Sequence, residues 1–523
     1  MNQRKRKGIL GTIEWLGNKL PDPITLFVIG AISVLILSEF VARSGWQILN
    51  PVSGEVEVAK SLLSTDGARW VWMNLVSNFT GFAPLGVVLV GMIGIGLAEH
   101  SGLVGAMLKG LVQVTPSNLL TPAVIFVGVM SSLALDAGYI VLPPLACAVF
   151  ASAGRAPLAG LGAVFAGIGA GFSANLVITG LDPLLQSFTN TSAQLLLPDY
   201  EVDIRCNYYF MFVSTFLITL VGWGTTRWFV EPRFHDQDIA EQLAAFRTQD
   251  TEGKTVDGAS GLSSAEIRGL VAAVVALAIT SGIILTMVYR SDGSLHGTEE
   301  LRPGVEVATW VRVLVPILFV SFLIPGLAYG IVAGSISSDR DAAKMMSDTM
   351  SSMGSYIVLA FFAAQFVSWF AESNLGTLIA LQGVQTLQKM EMPLWMLVVS
   401  IVFLTGALNL FIGSASAKWA LISTVFVPIF AGVGIRPELT QAAYRVGDSV
   451  TNIIAPLNPY IVIVLVFMQR YMPKAGVGSL ISLMLPYAVA FSIAWIILLL
   501  CWMALGVPLG PGHDSLFIDA IKS

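Results

Sequence analysis

Residues 448–460 read DSVTNIIAPLNPY. Within thirteen positions, inside a long apolar region, the chain places a carboxylate, a threonine, two amides and two prolines. Pro456 and Pro459 remove backbone donors and clash with the preceding turn, so a helix cannot run through them undisturbed. Bare backbone at membrane depth is tolerated only inside protein or beside a watery cavity. The freed carbonyls, with Thr451, Asn452 and Asn458, can face a cation or a polar substrate. Upstream, Arg445, Asp448 and Asn452 stand at i, i+3 and i+7 and share one helical face.

Composition sets the surroundings of this stretch. The chain has 523 residues, 55% hydrophobic and 12% charged, with a mean hydropathy of +0.77. A soluble protein carries about 25% charged residues, so half the usual charge is missing. Apolar runs of the roughly 20 residues needed to cross a bilayer recur along the chain. The reading is an all-α polytopic membrane protein. A net charge of −5 gives no nucleic-acid signal. Cys147, Cys206 and Cys501 are far apart, with neither metal spacing nor a disulfide pattern. The histidines (His100, His235, His296, His513) lie in or beside polar segments, and no nucleophile–base pair stands out, which argues against an enzyme. The Gly-rich GMIGIG at 91–96 lies within a span and reads as helix-packing glycine, not a nucleotide loop.

Clear spans fall at about 23–42, 81–98, 207–229, 269–289, 308–335, 354–372 and 478–505. Two apolar regions between them, 102–190 and 393–470, are interrupted by Gly, Pro and polar residues. Arg4, Lys5, Arg6 and Lys7 put the N-terminus inside by the positive-inside rule, with 1–20 as an interfacial cytoplasmic helix. The polar segments 231–262, 337–344 and 469–474 then fall inside, and 291–307 outside. The first interrupted region thus runs from inside to outside, and the second from outside to inside.

The two regions also match in sequence. YIVLPPLACAVFASAGRAPLAGLGAVFAG (139–167) faces WALISTVFVPIFAGVGIRPELTQAAYRVG (419–447). At a constant offset of 280 residues, the distance from Pro157 to Pro437, Phe150, Gly154, Pro157, Ala163 and Gly167 meet Phe430, Gly434, Pro437, Ala443 and Gly447. SANLVITGLDP (173–183) then faces VTNIIAPLNP (450–459) with a slip in register. Inverted repeats of this kind characterise secondary transporters, whose sites form at broken helices near the midplane. The chain therefore divides into the interfacial helix (1–20), first scaffold helices with repeat one (21–206), further scaffold helices with the polar loop 231–262 (207–372), and repeat two with the last span (373–523).

Charges at membrane depth are costly enough to mark candidate functional residues. Repeat one offers Ser173, Asn175, Thr179 and Asp182 before Pro183, and a preceding break with Asp136 and Pro143-Pro144. Repeat two offers Asn409, Ser414, Ser416, Lys418 and Trp419 before the 445–460 cluster. The plain alternative at the second cluster is that Arg445 and Asp448 merely neutralise each other. Trp419 offers a stacking face for an aromatic ring, and Arg445 or Lys418 a cationic partner for its carboxylate. Asp448 with Asn409 and Asn452 offers oxygens to a sodium ion, while Asp182 or Asp136 is a candidate proton carrier.

The block GSASAKWALISTVFVPIF (413–430) and RPELTQAAYRVGDSVTNIIAPLNPY (436–460) closely resembles the AbgT family of p-aminobenzoyl-glutamate transporters, a similarity that extends through GTIEWLGNKLPDP (11–23) and the whole chain. The resemblance implies a bowl-shaped homodimer in a bacterial inner membrane, each subunit with nine transmembrane helices and two re-entrant hairpins. It implies transport of p-aminobenzoyl-glutamate, or efflux of p-aminobenzoic acid-like antimetabolites such as sulfonamides, coupled to sodium or protons. Carried over by position, the family's substrate path falls on Asp182, Ser416, Trp419, Pro437, Arg445, Asp448 and Pro456. Its sodium ligands fall on Asn409, Asp448 and Asn452. The rival within the same superfamily is a sodium-coupled dicarboxylate importer.

Overall fold

Seven helices among the described residues are long and apolar enough to cross a bilayer: Ile24–Ser44, Tyr208–Arg233, Ser264–Tyr289, Leu314–Ala333, Gly354–Glu372, Ala415–Gly432 and Val477–Leu505. The structure, a computed structural model, describes residues 23–521 apart from 51–54, 114–115, 117–118, 135–136, 252–261, 303–304, 456–457, 459 and 513. The expected interfacial helix at 1–20, Asp136, Pro456 and Pro459 lie outside the described residues.

The chain begins with α1 (Pro23–Ser44), a small hairpin of β1 (Gln47–Leu49) and β2 (Val56–Val58), then α2 (Thr65–Thr80), α3 (Ala83–His100) and α4 (Leu103–Gln113). The first interrupted region forms α5 (Leu120–Met130), a 3₁₀ turn (Ser131–Ala134), α6 (Ala137–Ser152), α7 (Pro157–Phe165) prolonged by a π turn (Ala166–Ala170), and α8 (Leu181–Ala193). Then come α9 (Tyr208–Thr225), α10 (Asp236–Thr251), α11 (Ser264–Tyr289), the hairpin of β3 (Thr298–Arg302) and β4 (Val305–Ala308), a short α12 (Thr309–Arg312), α13 (Leu314–Ala333), α14 (Asp339–Ser352), α15 (Gly354–Glu372) and α16 (Leu375–Met390). The second interrupted region forms α17 (Leu394–Asn409), α18 (Ala415–Gly432), α19 (Pro437–Thr451) and α20 (Tyr460–Tyr471), and α21 (Val477–Leu505) follows. The fold is overwhelmingly helical; the polar stretch expected as a loop at 231–262 contains α10, and two short hairpins sit in segments read as loops.

The sequence repeat is a structural repeat. Helix α7 starts at Pro157 and α19 at Pro437, each with proline in the first turn, where its missing N–H costs nothing. Helices α6 and α18 end one after the other at Ser152 and Gly432, and Gly154 and Gly434 both take positive φ (70° and 101°). Each turn closes with the same bond, Arg155 N to Phe150 O and Ile435 N to Phe430 O, both 2.9 Å, the six-residue closure of a Schellman end. Deeper in, a Cβ on Gly167 would lie 2.4 Å from the Ile125 carbonyl, and one on Gly447 2.3 Å from that of Val402. Both glycines let their helix touch the backbone of an earlier one, α5 for Gly167 and α17 for Gly447.

Helix α7 with its π turn ends at Ala170 and α8 begins at Leu181, whereas α19 ends at Thr451 and α20 begins at Tyr460. Pro143 and Pro144 do not break α6, which runs through them; they leave the carbonyls one turn back without helical donors. The interruption before α6 falls earlier, at the 3₁₀ turn Ser131–Ala134.

Around the repeats, α11 packs on α13, α13 on α3, α15 on α1 and α9 on α21. Helix α11 buries Gly269, Ala273 and Thr280 and turns Val271, Val274, Ile279 and Ile283 outward. An apolar face of this length suits hydrocarbon, not water. The repeats hold the polar interior: all of α19 from Pro437 to Val450 is buried.

Candidate functional site

Helix α19 carries a polar stripe at 438, 441, 445, 448 and, one residue past its end, 452, spaced by three and four, while Leu439, Ala442, Ala443 and Val446 cover the rest. A stripe this regular on a buried helix requires partners from other elements, since buried polar groups must be hydrogen-bonded. Each part of it finds them.

At the inner end, Arg445 and Asp448 do not neutralise each other. Arg445 donates from one terminal nitrogen to Asp182 Oδ1 of α8 (2.6 Å) and from the other to the Ser173 carbonyl (3.0 Å). Its Nε has no hydrogen-bond partner among the described residues. Asp182 fixes its second oxygen with the Thr179 backbone N–H (2.7 Å) and hydroxyl (2.9 Å), at the start of α8. A carboxylate in the first turn of a helix is favoured by the helix dipole. Asp448 instead pairs with Lys418 of α18, whose ammonium also donates to Asn409 Oδ1. Both cations are buried, Lys418 at 0% and Arg445 at 1% side-chain exposure.

Asn409, Asp448 and Asn452 come together. Asn409 Nδ2 lies within 2.7–2.9 Å of the Asp448 carbonyl, Thr451 Oγ1 and Asn452 Oδ1. Asn452 Nδ2 donates to the Gly169 carbonyl (3.3 Å) and Asn458 Nδ2 to the Asn452 carbonyl (3.0 Å). Ser173 N donates to Ser449 Oγ (3.2 Å). The two interrupted helices, one from each repeat, are therefore joined side chain to backbone beside their breaks.

Trp419 is fully buried, with its ring centroid 4.4 Å from that of Tyr444 on α19. Its face is thus covered by the protein's own ring. The indole N–H donates to Thr189 Oγ1 (2.9 Å), which contacts Gln441 Oε1; Gln441 Nε2 in turn donates to Asn207 Oδ1 (2.9 Å). Tyr139, the aromatic that matches Trp419 in repeat one, stacks on Tyr460 at 4.0 Å. Asn175 accepts from the Ser132 hydroxyl, at the 3₁₀ turn before α6. Ser416 is half-buried in the first turn of α18, its hydroxyl 3.3 Å from that of Ser414. Pro437 opens α19.

Sequence reasoning missed Thr189, Gln441, Asn207 and Ser449. Gln441 extends the same three-and-four spacing one turn upstream of Arg445, which is the signal that would have found it; Thr189, Asn207 and Ser449 carry no such mark. A pocket lined by Asn175, Asp182, Arg205 and Tyr208 opens beside the first break. A larger cavity of about 490 Å³ lies elsewhere, between α16, α17 and α18, lined by apolar residues such as Leu387, Phe426 and Phe430.

Comparison with known proteins agrees with this architecture. The chain is 33% identical over 505 residues to the p-aminobenzoyl-glutamate transport protein of Escherichia coli K12, covering 96% of both. It superposes on the YdaH transporter of Alcanivorax borkumensis with a TM-score of 0.86 and 40% identity, over 94% of this chain and 100% of that one. For MtrF of Neisseria gonorrhoeae, presented as illuminating a class of antimetabolite efflux pumps, the values are 0.87 and 38%, over 97% and 100%. Residues 8–517 match the AbgT putative transporter family, to which the chain belongs: it is a membrane transporter, not an enzyme.

Proposed function

We propose that this chain is a cation-coupled secondary transporter that exports p-aminobenzoyl-glutamate and p-aminobenzoic acid-like antimetabolites, sulfonamides among them. The observation that carries this reading is two buried ion pairs, Asp182–Arg445 and Lys418–Asp448, gathered beside the interrupted helices of the two repeats. Transporter sites form where such helices break, and buried intramembrane charge is too costly to keep without use. The name of one relative supplies the substrate class: an aromatic amide carrying the carboxylates of glutamate. For that ligand, Arg445 retains Nε as an unused donor, and Trp419 and Tyr444 supply aromatic surface once their contact opens. The substrate path runs through Asn175, Asp182, Ser416, Trp419, Pro437, Arg445, Asp448 and Pro456.

Asn409, Asp448 and Asn452 form the candidate site of the coupling cation, sodium or a proton. The protein works as a homodimer in a bacterial inner membrane with its N-terminus in the cytoplasm, and alternates access by rocking or elevator-like movement of the repeats. Flux in proteoliposomes, with sodium and proton gradients imposed separately, tests this. Saturable counterflow of labelled p-aminobenzoyl-glutamate, driven by one of the two gradients, is expected. Sodium-driven succinate uptake without p-aminobenzoyl-glutamate flux would instead mark a dicarboxylate importer.

A further inference from the structure

The oxygens assigned to a coupling cation are already committed to a cation of the protein itself. Asn409 Oδ1 and Asp448 Oδ1 both accept from Lys418 Nζ, and Asn452 Oδ1 accepts from Asn409 Nδ2 (2.8 Å). The amide of Asn409 cannot be turned over. Its nitrogen faces three acceptors, the Asp448 carbonyl, Thr451 Oγ1 and Asn452 Oδ1, so a flip would set oxygen against oxygen and nitrogen against the ammonium. Asn409 is thereby held with its carbonyl toward Lys418. The lysine reaches the pair from α18, the asparagine from α17 and the carboxylate from α19, so three separate helices converge on one ammonium. The ammonium has 0% side-chain exposure and donates to these two oxygens.

We propose that Lys418 is a built-in competitor of sodium for the Asn409–Asp448 site, so that a sodium ion binds there only when the lysine side chain leaves. This rests on the reading of Asn409, Asp448 and Asn452 as the coupling-cation site. A lysine suits such a role: it is a compact point charge on a flexible four-carbon stem, able to withdraw without moving its backbone. Two monovalent cations cannot share the same two oxygens, because the second meets the repulsion of the first at contact distance in a medium poor in water. Occupancy by one therefore reports displacement of the other.

The test is binding of radioactive sodium to the purified full-length protein in detergent, with choline as the balancing ion. Lys418→Met keeps the stem length and removes the charge; it is expected to bind sodium at least about tenfold more tightly than the unmodified protein. Lys418→Met/Asp448→Asn, neutral where the original pair was neutral, is expected to lose that gain. Equal affinity in Lys418→Met and the unmodified protein overturns the proposal. So does tight, saturable binding by the unmodified protein that the double variant abolishes, an outcome that needs no folded Lys418→Met. Lys418→Gln serves as the second single variant under the same criteria. Because binding is read without flux, a failure of the transport reading leaves this result interpretable, and the reverse also holds.

Discussion

Replacing Asp182 by alanine tests whether the two repeats are joined by charge. The substitution removes an Oδ1 bonded to Arg445 at 2.6 Å and an Oδ2 that accepts from Thr179 N–H and hydroxyl. Arg445, at 1% exposure, keeps only the Ser173 carbonyl as a charge-assisted partner. Breaking a buried pair by deleting one member costs about 3–5 kcal/mol. The converse change, Arg445→Ala, leaves Asp182 with both Thr179 donors and with 12% side-chain exposure, so its loss falls at the lower end of that range. The double variant has no stranded charge, and its destabilisation is smaller than the sum of the singles by about 2–3 kcal/mol. For a cooperative unit of about 200 residues, 3 kcal/mol corresponds to roughly 6 °C or more of apparent melting temperature. Thermal scans of the detergent-purified protein, followed by loss of the monodisperse gel-filtration peak, give all four corners of the cycle. Strictly additive losses would refute the reasoning, since they would mean that Asp182 and Arg445 do not depend on each other.

Gly447→Ala and Gly167→Ala place a Cβ 2.3–2.4 Å from a backbone carbonyl, so each is expected to prise its helix from that earlier one at a cost of about 3 kcal/mol; loss of expression or a lowered melting temperature in both, against no change for Gly478→Ala, which has open space around it, checks this. Trp419→Ala leaves a large buried void and costs about 3–5 kcal/mol, whereas Trp419→Phe keeps the contact with Tyr444, loses the bond to Thr189, and costs about 1–3 kcal/mol. If the alanine variant melts like the parent, Trp419 is not packed as described. Burial, and then the Glu438 carboxylate, push the Tyr200 phenol well above its ordinary range. Because the folded protein holds this proton more tightly than the unfolded chain, its contribution is complete below the unfolded value of about 10 and is lost as pH rises beyond it. Stability is therefore expected to show no Tyr200-linked change from neutrality to about pH 9, with a decline above about pH 10 that is shallower in Tyr200→Phe.

Much of this arrangement was legible in the chain. Equal spacing of Phe, Gly and Pro in the two interrupted regions located both broken helices, because positive φ and close backbone approach admit little but glycine, and a helix start favours proline. The stripe at 445, 448 and 452 followed from helical spacing alone. The pairing did not. Neighbours three apart on one face invite an Arg445–Asp448 pair, yet each turns to a residue on another helix, Asp182 and Lys418, over 200 and 30 positions away in sequence respectively. Helical periodicity says which face a side chain occupies but not what is packed against that face. Helix α10 was hidden for a different reason: DQDIAEQLAAFRTQDT is charged on most sides, and a helix without a broad apolar stripe looks like a loop. The hairpins of β1–β2 and β3–β4 are too short to show alternation.

The two buried ion pairs have an electrical consequence. Asp182 and Arg445 cancel, as do Asp448 and Lys418, so the cluster as a whole is neutral. A single unbalanced charge moved across the bilayer would feel about 2.3 kcal/mol for every 100 mV of membrane potential. A neutral cluster feels no net pull, so these four residues, paired as they are, add no net charge for the membrane potential to act on.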